Sequence, residues 1–400
     1  MKQKKSISLS SDAFTRGADQ IIGAEDLERA FGEGKKLKIK LGIDATAPFL
    51  HIGHAVTLWK LRELQEAGHL VQILLGDFTT RIGDPTGRSK ARPVLSPKEI
   101  EKNAKKIFSD IGKILLRDPR VFELRRNSEW YKKMKTGEFL QILSLVTHAR
   151  LIERDMFQER MRRGEEIHMH ELLYPVLQGY DSYMLGSDCT IIGSDQLFNE
   201  SMGRFLQEKF GMRPQSIVTV KLLPGLDGKE KMSKSAGNYI AIADSPRDMF
   251  GKAMTLPDGL INDYLIMYTD VPIEEITRWR AKVEEGENPM NAKLFLAEAL
   301  VRRYHGGAAG QRERDYFVSL FSKKEIPDTV PARAIRHGGY DALSFVMETG
   351  MVESRSDARR LIGEGAIEVD GKTLASPREN VSVRPGIIVR IGKKKIFRIL

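Results

Sequence analysis

Cysteine is nearly absent from this chain. Cys189 stands alone among 400 residues, which excludes a disulfide framework within the chain and any zinc site built on several thiolates. A reducing compartment, the cytoplasm, is the expected location. Long apolar runs are also missing. Stretches such as Val71 to Leu75 fall far short of the ~18 residues that suggest a membrane span. Lys2, Lys4 and Lys5 open the chain without an apolar stretch behind them, so no secretory signal is expected. No internal repeat is visible.

What is present is ordinary for a globular protein: 41% hydrophobic and 30% charged residues. The length implies about two or three domains. The formal net charge of +10 points towards a polyanionic partner such as nucleic acid, although charge alone is a weak signal.

Periodicity places the first elements. Lys36 to Ile43 alternates Leu37, Ile39, Leu41 and Ile43 against Lys36, Lys38, Lys40 and Gly42, which predicts a strand. Asp44 to Pro48 forms a loop. A helix is expected from Gly53 to Ala67, with Ala55, Leu58, Trp59 and Leu61 as core candidates and Gly68 as its stop. Leu70 to Leu75 predicts a second strand. A strand–helix–strand unit implies parallel pairing, hence a doubly wound, Rossmann-like α/β sheet. Residues 76–93 form a long loop rich in Gly, Pro and Arg, a length that is uncommon without a function.

Residues 96–186 are expected to be mostly helical, beginning at Ser96-Pro97-Lys98-Glu99. Cys189 to Gly193 and Ile217 to Leu222 are further strand candidates. Later helix starts are expected at Ser245-Pro246, Pro272-Ile273 and Asn288-Pro289. The expected domains are a Rossmann-like domain with a helical insertion over 1–228, a lysine loop with an α-helical domain over 229–325, a linker over 326–339, and a small α+β unit over 340–400.

Two words carry chemistry. His51-Ile52-Gly53-His54 falls between a strand and a helix, where free N–H groups and a partial positive charge suit phosphate. Gly53 permits close approach of a nucleotide, and His51 and His54 can share one face of the first turn. With this chain's histidine and glycine content, such a word is expected about 0.01 times by chance. Lys231-Met232-Ser233-Lys234-Ser235 lies in a Gly- and Lys-rich stretch whose ammonium groups can meet the phosphates of a triphosphate. The plainer readings are capping histidines and a solvated charged loop.

With both words in this order the chain resembles the class I aminoacyl-tRNA synthetases, and over nearly its whole length it resembles the bacterial tyrosyl-tRNA synthetases. The family's first cluster is matched by Asp44-Ala45-Thr46-Ala47 and by His51 to His54. Its G-D-P-S/T-G loop is matched by Gly83 to Gly87. Its Y-x-x-x-Q-x-x-D helix is matched by Tyr174, Gln178 and Asp181. Its G-S/T-D-Q-x-x-N segment is matched by Gly193 to Asn199. The tail resembles the small S-four RNA-binding domain that many members carry. There Ser354 to Ile362 reads as a helix presenting Arg355, Arg359 and Arg360, Asp370-Gly371 signals a hairpin, and Lys393, Lys394 and Lys395 add positive charge.

The resemblance implies activation of tyrosine by ATP, followed by transfer to tRNA. It assigns Asp84, Tyr174 and Gln178 to the tyrosine ammonium, Asp181 to the phenol, and Gln196 to the pocket wall. Gly42, Asp44, Gly53, Gly193, Asp195 and Lys234 fall to ATP and the adenylate. Thr46, His51 and His54 face the phosphates, Arg88 and Arg92 grip pyrophosphate, and Lys231 and Lys234 close over it. Magnesium is expected to travel with ATP on its phosphates and water, with no tightly bound cofactor. A homodimer is implied as well. The chain departs from the pattern at Lys40, where many members carry a tyrosine that shares the phenol hydrogen bond. Either Asp181 acts alone here, or the Lys40 ammonium joins it. Arg88 replaces the more frequent lysine. The rival readings are tryptophanyl-tRNA synthetase, a smaller nucleotidyltransferase, and an inactive RNA-binding relative.

Overall fold

The computed structural model describes residues 7–86, 95–233, 236–322, 330–392 and 395–400. The chain forms two compact units, Met1–Glu313 and Arg314–Leu400.

Among the described residues, the first unit is built on a six-stranded sheet: β1 (Ala18–Ile22), β2 (Lys38–Ile43), β3 (Leu70–Leu75), β4 (Phe122–Arg126), β5 (Cys189–Gly193) and β6 (Ser216–Val220). The spatial order is β1-β6-β5-β2-β3-β4. Every neighbouring pair from β6 to β4 is parallel, as a doubly wound sheet requires. At the edge, β1 pairs antiparallel with β6. The sequence pattern does not announce β1 or β4, because both are edge strands with polar sequences, Ala-Asp-Gln-Ile-Ile and Phe-Glu-Leu-Arg-Arg. Of the central strands, β3, β5 and β6 are almost wholly buried and rich in apolar residues, whereas β2 alternates apolar residues with Lys38, Lys40 and Gly42.

The first crossover helix, Ile52–Glu66, is apolar around most of its circumference and buries Ile52, Ala55, Leu58, Leu61 and Leu64. Trp59 is only partly buried; its ring meets the edge of Tyr304, with the Arg303 guanidinium above it. The Pro97–Ile114 helix starts as its sequence implies. Ser96 accepts from the Glu99 N–H while Glu99 reaches back to the Ser96 N–H. Later helices are capped by the Ser245 side chain, which accepts from the Asp248 N–H, and by the Asn288 side chain, which accepts from the Met290 N–H.

The insertion ends in the Met169–Leu185 helix, which packs tightly on the Leu197–Lys209 helix. Glycines set this approach. A Cβ on Gly179 would lie 2.9 Å from backbone at Met202, and one on Gly203 would lie 2.7 Å from the Ser182 hydroxyl. The close contact brings Gln178 and Ser182 of one helix against Asn199 and Glu200 of the other.

The second unit has its own core of Phe345, Val346, Ala358, Ile362, Val389 and Phe397. The helix predicted near Ser354 is observed as Arg355–Gly363, capped by the Ser354 side chain. Asp370 (φ 48°) and Gly371 (φ 79°) form the hairpin turn between Val369 and Lys372. Strand Ala332–Arg333 pairs in parallel with Lys395–Ile399. Part of the segment expected to be a linker is therefore in the sheet, and the division between units falls at Arg314. Apolar Val330 of this segment is buried in a cluster with Tyr316, Leu320 and Ile396.

Candidate active site

Strand order reverses at β2, with β3 and β4 on one side and β5 and β6 on the other. The crevice beyond the carboxyl ends of the strands at such a switch point is where doubly wound sheets bind ligands. A cavity of about 460 Å³ lies there. It is lined by Lys40, Gly42, Asp44, Thr46, His51, Gly53, His54, Asp84, Tyr174, Gln178, Asp181, Gly193, Asp195, Gln196 and Lys231. Arg88, Arg92 and Lys234, also expected at the site, lie outside the described residues, as do Lys393 and Lys394 of the tail.

One end of the cleft suits phosphate. His51 is the residue before the Ile52–Glu66 helix, in extended conformation. Its N–H donates to Nδ1 of His54 at 3.3 Å, which leaves the proton of a neutral His54 on Nε2. The two ring centroids are 3.9 Å apart. Burial, then the nearby His54 and Lys231, pushes the His51 pKa down to about 2. Burial also lowers His54 to about 4, with the Asp195 carboxylate opposing the shift. Although protein surrounds it, His54 is an exposed residue that lines the cleft. Both imidazoles are therefore neutral near pH 7. His51 Nδ1 is buried and has no hydrogen-bond partner, so it is an unsatisfied polar atom in the cleft wall. A Cβ on Gly53 would press within 2.9 Å of the His51 ring.

The second word reaches the first through backbone pairing. Ile52 N–H donates to the Ile240 carbonyl, and Ile242 N–H to the Leu50 carbonyl, each at 3.0 Å. Asn238 folds the intervening loop: its Oδ1 accepts from the Ser233 N–H at 2.9 Å, and its amide donates to Asp227 at 2.9 Å. Lys231 is thereby held with Nζ 3.2 Å from Asp195 Oδ2.

The other end is deep and polar. Asp181 is 3% exposed. Its oxygens accept from Trp130 Nε1 at 2.9 Å and Asn127 Nδ2 at 3.2 Å. Burial pushes its pKa up to about 7, against the lowering influence of the Lys40 ammonium and these hydrogen bonds. The Tyr174 hydroxyl donates to Asp44 at 2.9 Å. Gln196 Nε2 donates to Asp84 at 2.8 Å, and Asn199 donates to both Gln178 and Gln196 at 3.0 Å. Lys40 is fully buried and bonded to Glu200 and Ser182, rather than directly to Asp181.

Several residues of this site carry no signal in the sequence reading. Thr79 donates to Asp44 at 2.8 Å, and Asn127 donates to Thr79 and to Asp181. Gly76 leaves room for that network, since a Cβ there would lie 2.1 Å from Asp44 Oδ1. Glu200 forms a buried pair with Lys40. Only Glu200 could have been sought beforehand: a lysine in a central strand of a sheet covered on both faces needs a buried anion.

In the second unit Arg355 and Arg359 are exposed. Arg360 is bonded to Asp357 and Glu364 of its own helix, so its charge is locally balanced. Lys395 Nζ donates to the Met351 carbonyl. Among the described residues no cluster of three His, Cys, Asp or Glu side chains is placed to hold a metal ion, and no helix is long and apolar enough to cross a membrane.

Residues 33–322 match the family described as tRNA synthetases class I (W and Y), and the fold and cleft are those of this class. The chain is 42% identical over 389 residues to the tyrosine–tRNA ligase of Moorella thermoacetica, covering 96% of this chain and 94% of that one. It is 41% identical to that of Thermotoga maritima, with 96% and 95% covered. A truncated Aspergillus nidulans mitochondrial tyrosyl-tRNA synthetase shares the fold with a TM-score of 0.63, at 24% identity over 76% of this chain and 92% of that one. Within the class, the chain belongs to the tyrosine–tRNA ligase family.

Proposed function

We propose that this cleft joins L-tyrosine to ATP as tyrosyl-adenylate, releasing pyrophosphate, and then passes the tyrosyl group to the 3′-terminal ribose of tRNA. The observation that carries the reading is Asp181. It is a buried carboxylate at the cavity floor, with two N–H donors already bound and lone pairs left to accept a phenol O–H. A phenylalanine ring there would desolvate the remaining lone pairs of this carboxylate without offering them a donor, which is a penalty that a tyrosine avoids.

In this reading Asp84, Tyr174 and Gln178 receive the tyrosine ammonium, and Gln196 braces Asp84. Asp44, Gly42 and Gly193 follow the adenylate, and Asp195 takes the ribose. Lys231 exchanges its contact with Asp195 for the phosphates when ATP enters. Thr46, His51 and His54 face the reacting phosphate, with Arg88, Arg92 and Lys234 as further cationic groups by sequence. The tyrosine carboxylate attacks the α-phosphorus in line, and pyrophosphate leaves. Positioning and charge stabilisation carry such a step, and no side-chain nucleophile is required. Magnesium arrives on the ATP phosphates, since imidazole and ammonium groups at that end suit phosphate oxygens better than a hard cation. The second unit reads tRNA through Arg355 and Arg359, with Arg360, Lys393, Lys394 and Lys395 adding positive charge. A homodimer in the cytoplasm completes the picture.

The test is ATP–pyrophosphate exchange with each of the twenty amino acids. Exchange with tyrosine, and not with phenylalanine or tryptophan, is the expected result. Exchange with tryptophan would move the chain to the other branch of its family. No exchange from folded protein would favour an inactive RNA-binding relative.

A further inference from the structure

Lys40 and Glu200 form an ion pair, Nζ to Oε2 2.9 Å, in which each side chain is 1% exposed. The pair sits beneath the tyrosine pocket, and both residues line the cavity. Lys40 Nζ also donates to the Ser182 hydroxyl at 2.7 Å. Glu200 Oε1 accepts from Gln178 Nε2 at 2.7 Å, and its Oε2 from Gln215 Nε2 at 2.8 Å. Every strong contact of the pair therefore runs to the Met169–Leu185 helix that supplies Gln178 and Asp181, or to the strand region behind it. Buried pairs seldom improve stability over apolar residues of the same size, so stability alone is a poor reason for this one.

We propose that the Lys40–Glu200 pair is a positioning and specificity device of the tyrosine pocket. Glu200 fixes the Gln178 amide in one orientation, and Lys40 supplies the positive potential under Asp181 that lets Asp181 meet the phenol as a carboxylate. The inference rests on the tyrosine-activating reading above. The groups that face Asp181 are Lys40 from β2, Asn127 beyond β4, Trp130 and Tyr131 from the Ser128–Tyr131 helix, and Tyr174 on its own helix. Lys40 is the one cation among them, and it lowers the Asp181 pKa against the effect of burial. Glu200 tempers that field. Removing Lys40 together with Glu200 takes the cation from under Asp181, so Asp181 holds its proton to higher pH and accepts more weakly from the phenol.

The experiment compares wild type, Glu200→Gln and the double variant Lys40→Met/Glu200→Gln. The double variant removes both charges together and avoids the unpaired buried charge that makes single removals unstable. Tyrosine- and phenylalanine-dependent pyrophosphate exchange is followed from pH 5.5 to 9, with thermal melting as the check on folding. For the double variant we expect KM for tyrosine to rise by about 10-fold with a smaller change in kcat, and the tyrosine-over-phenylalanine preference to fall by about 10-fold. The acid limb of kcat/KM for tyrosine should move to higher pH. In Glu200→Gln it should move to lower pH, because the Lys40 field is then unopposed. A folded double variant with the wild-type preference and an unmoved acid limb overturns the proposal. Wild type that shows no tyrosine-dependent exchange overturns the underlying functional reading instead, so the two failures are distinct.

Discussion

Thr79 and Asn127 meet at 3.0 Å, and through that contact the carboxylates of Asp44 and Asp181 are joined. Thr79 donates to Asp44, and Asn127 holds Asp181. The group assigned to the adenylate and the group assigned to the phenol are thus set by one network, anchored where the Asn127 side chain accepts from the Phe78 N–H. Gly76 makes the geometry possible, because its missing Cβ leaves Asp44 and Thr79 in place. Gly76→Ala should lower tyrosine-dependent pyrophosphate exchange by about 10²-fold, the scale on which a misplacement of about 1 Å acts, with a folded protein by circular dichroism. Exchange within about twofold of wild type would show that the network tolerates the displacement.

The ionisable groups divide by pH. His51 and His54 are held neutral well below physiological pH, at about 2 and about 4, so neither titrates in the working range. Asp181 is raised to about 7, and in the proposed role its carboxylate form accepts the phenol hydrogen bond. Rising pH through about 7 should therefore raise kcat/KM for tyrosine, and falling pH should lower it. The limb is not a folding effect. A carboxyl whose pKa is raised in the folded state contributes stability at low pH that is lost as pH rises through 7, the opposite direction. A profile flat from pH 5.5 to 8, in protein that binds tyrosine, would remove Asp181 from the phenol.

His51 lines the end of the cleft proposed for the phosphates, just ahead of the Ile52–Glu66 helix. Removing a donor that acts on developing charge commonly costs about 3 kcal/mol. His51→Ala should then slow adenylate formation by about 10²-fold and leave KM for tyrosine nearly unchanged. Single-turnover kinetics separates the two. An equal loss of tyrosine affinity would place His51 in the amino-acid pocket.

Cys189 lies in β5 at 0% exposure, and burial pushes its thiol pKa far up. It is no nucleophile at neutral pH. Native protein should resist iodoacetamide, by mass spectrometry, and keep its exchange activity. Rapid alkylation together with inactivation would contradict this buried placement.

The fold was legible where burial writes a period into the sequence. β2, the Ile52–Glu66 helix, β3 and β5 emerge within a residue or two of their expected limits. β1 and β4 stayed hidden because edge strands need not be apolar. The site was legible where chemistry demands a rare word, as at His51 to His54. It was not legible at Thr79, Asn127 or Glu200. These are common residue types whose roles exist only once distant strands and helices bring them beside Asp44, Asp181 and Lys40. The Lys40–Glu200 pair also explains how a lysine occupies a strand position that the alternation had marked as polar: it is buried rather than solvated.

Where the chain is cut should decide whether its two activities separate cleanly. Arg314 begins the second compact unit, whose core is its own. Tyr316, Leu320 and Val330 pack with Ile396, and Ala332–Arg333 pairs with Lys395–Ile399. A cut after residue 334 would strand these apolar side chains without their partner, whereas a chain ending at Glu313 removes the whole cluster and keeps the Arg247–Glu313 ion pair. The chain ending at Glu313 should retain tyrosine-dependent exchange within about threefold, as expected when chemistry and RNA reading lie in separately cored units. Its transfer of tyrosine to tRNA should fall by at least about 10-fold, from loss of the basic surface. The chain ending at 334 should melt at lower temperature or aggregate, because it exposes an apolar patch. Equal loss of exchange and transfer in the shorter chain, with its melting transition intact, would show that the second unit serves the chemistry as well as the RNA.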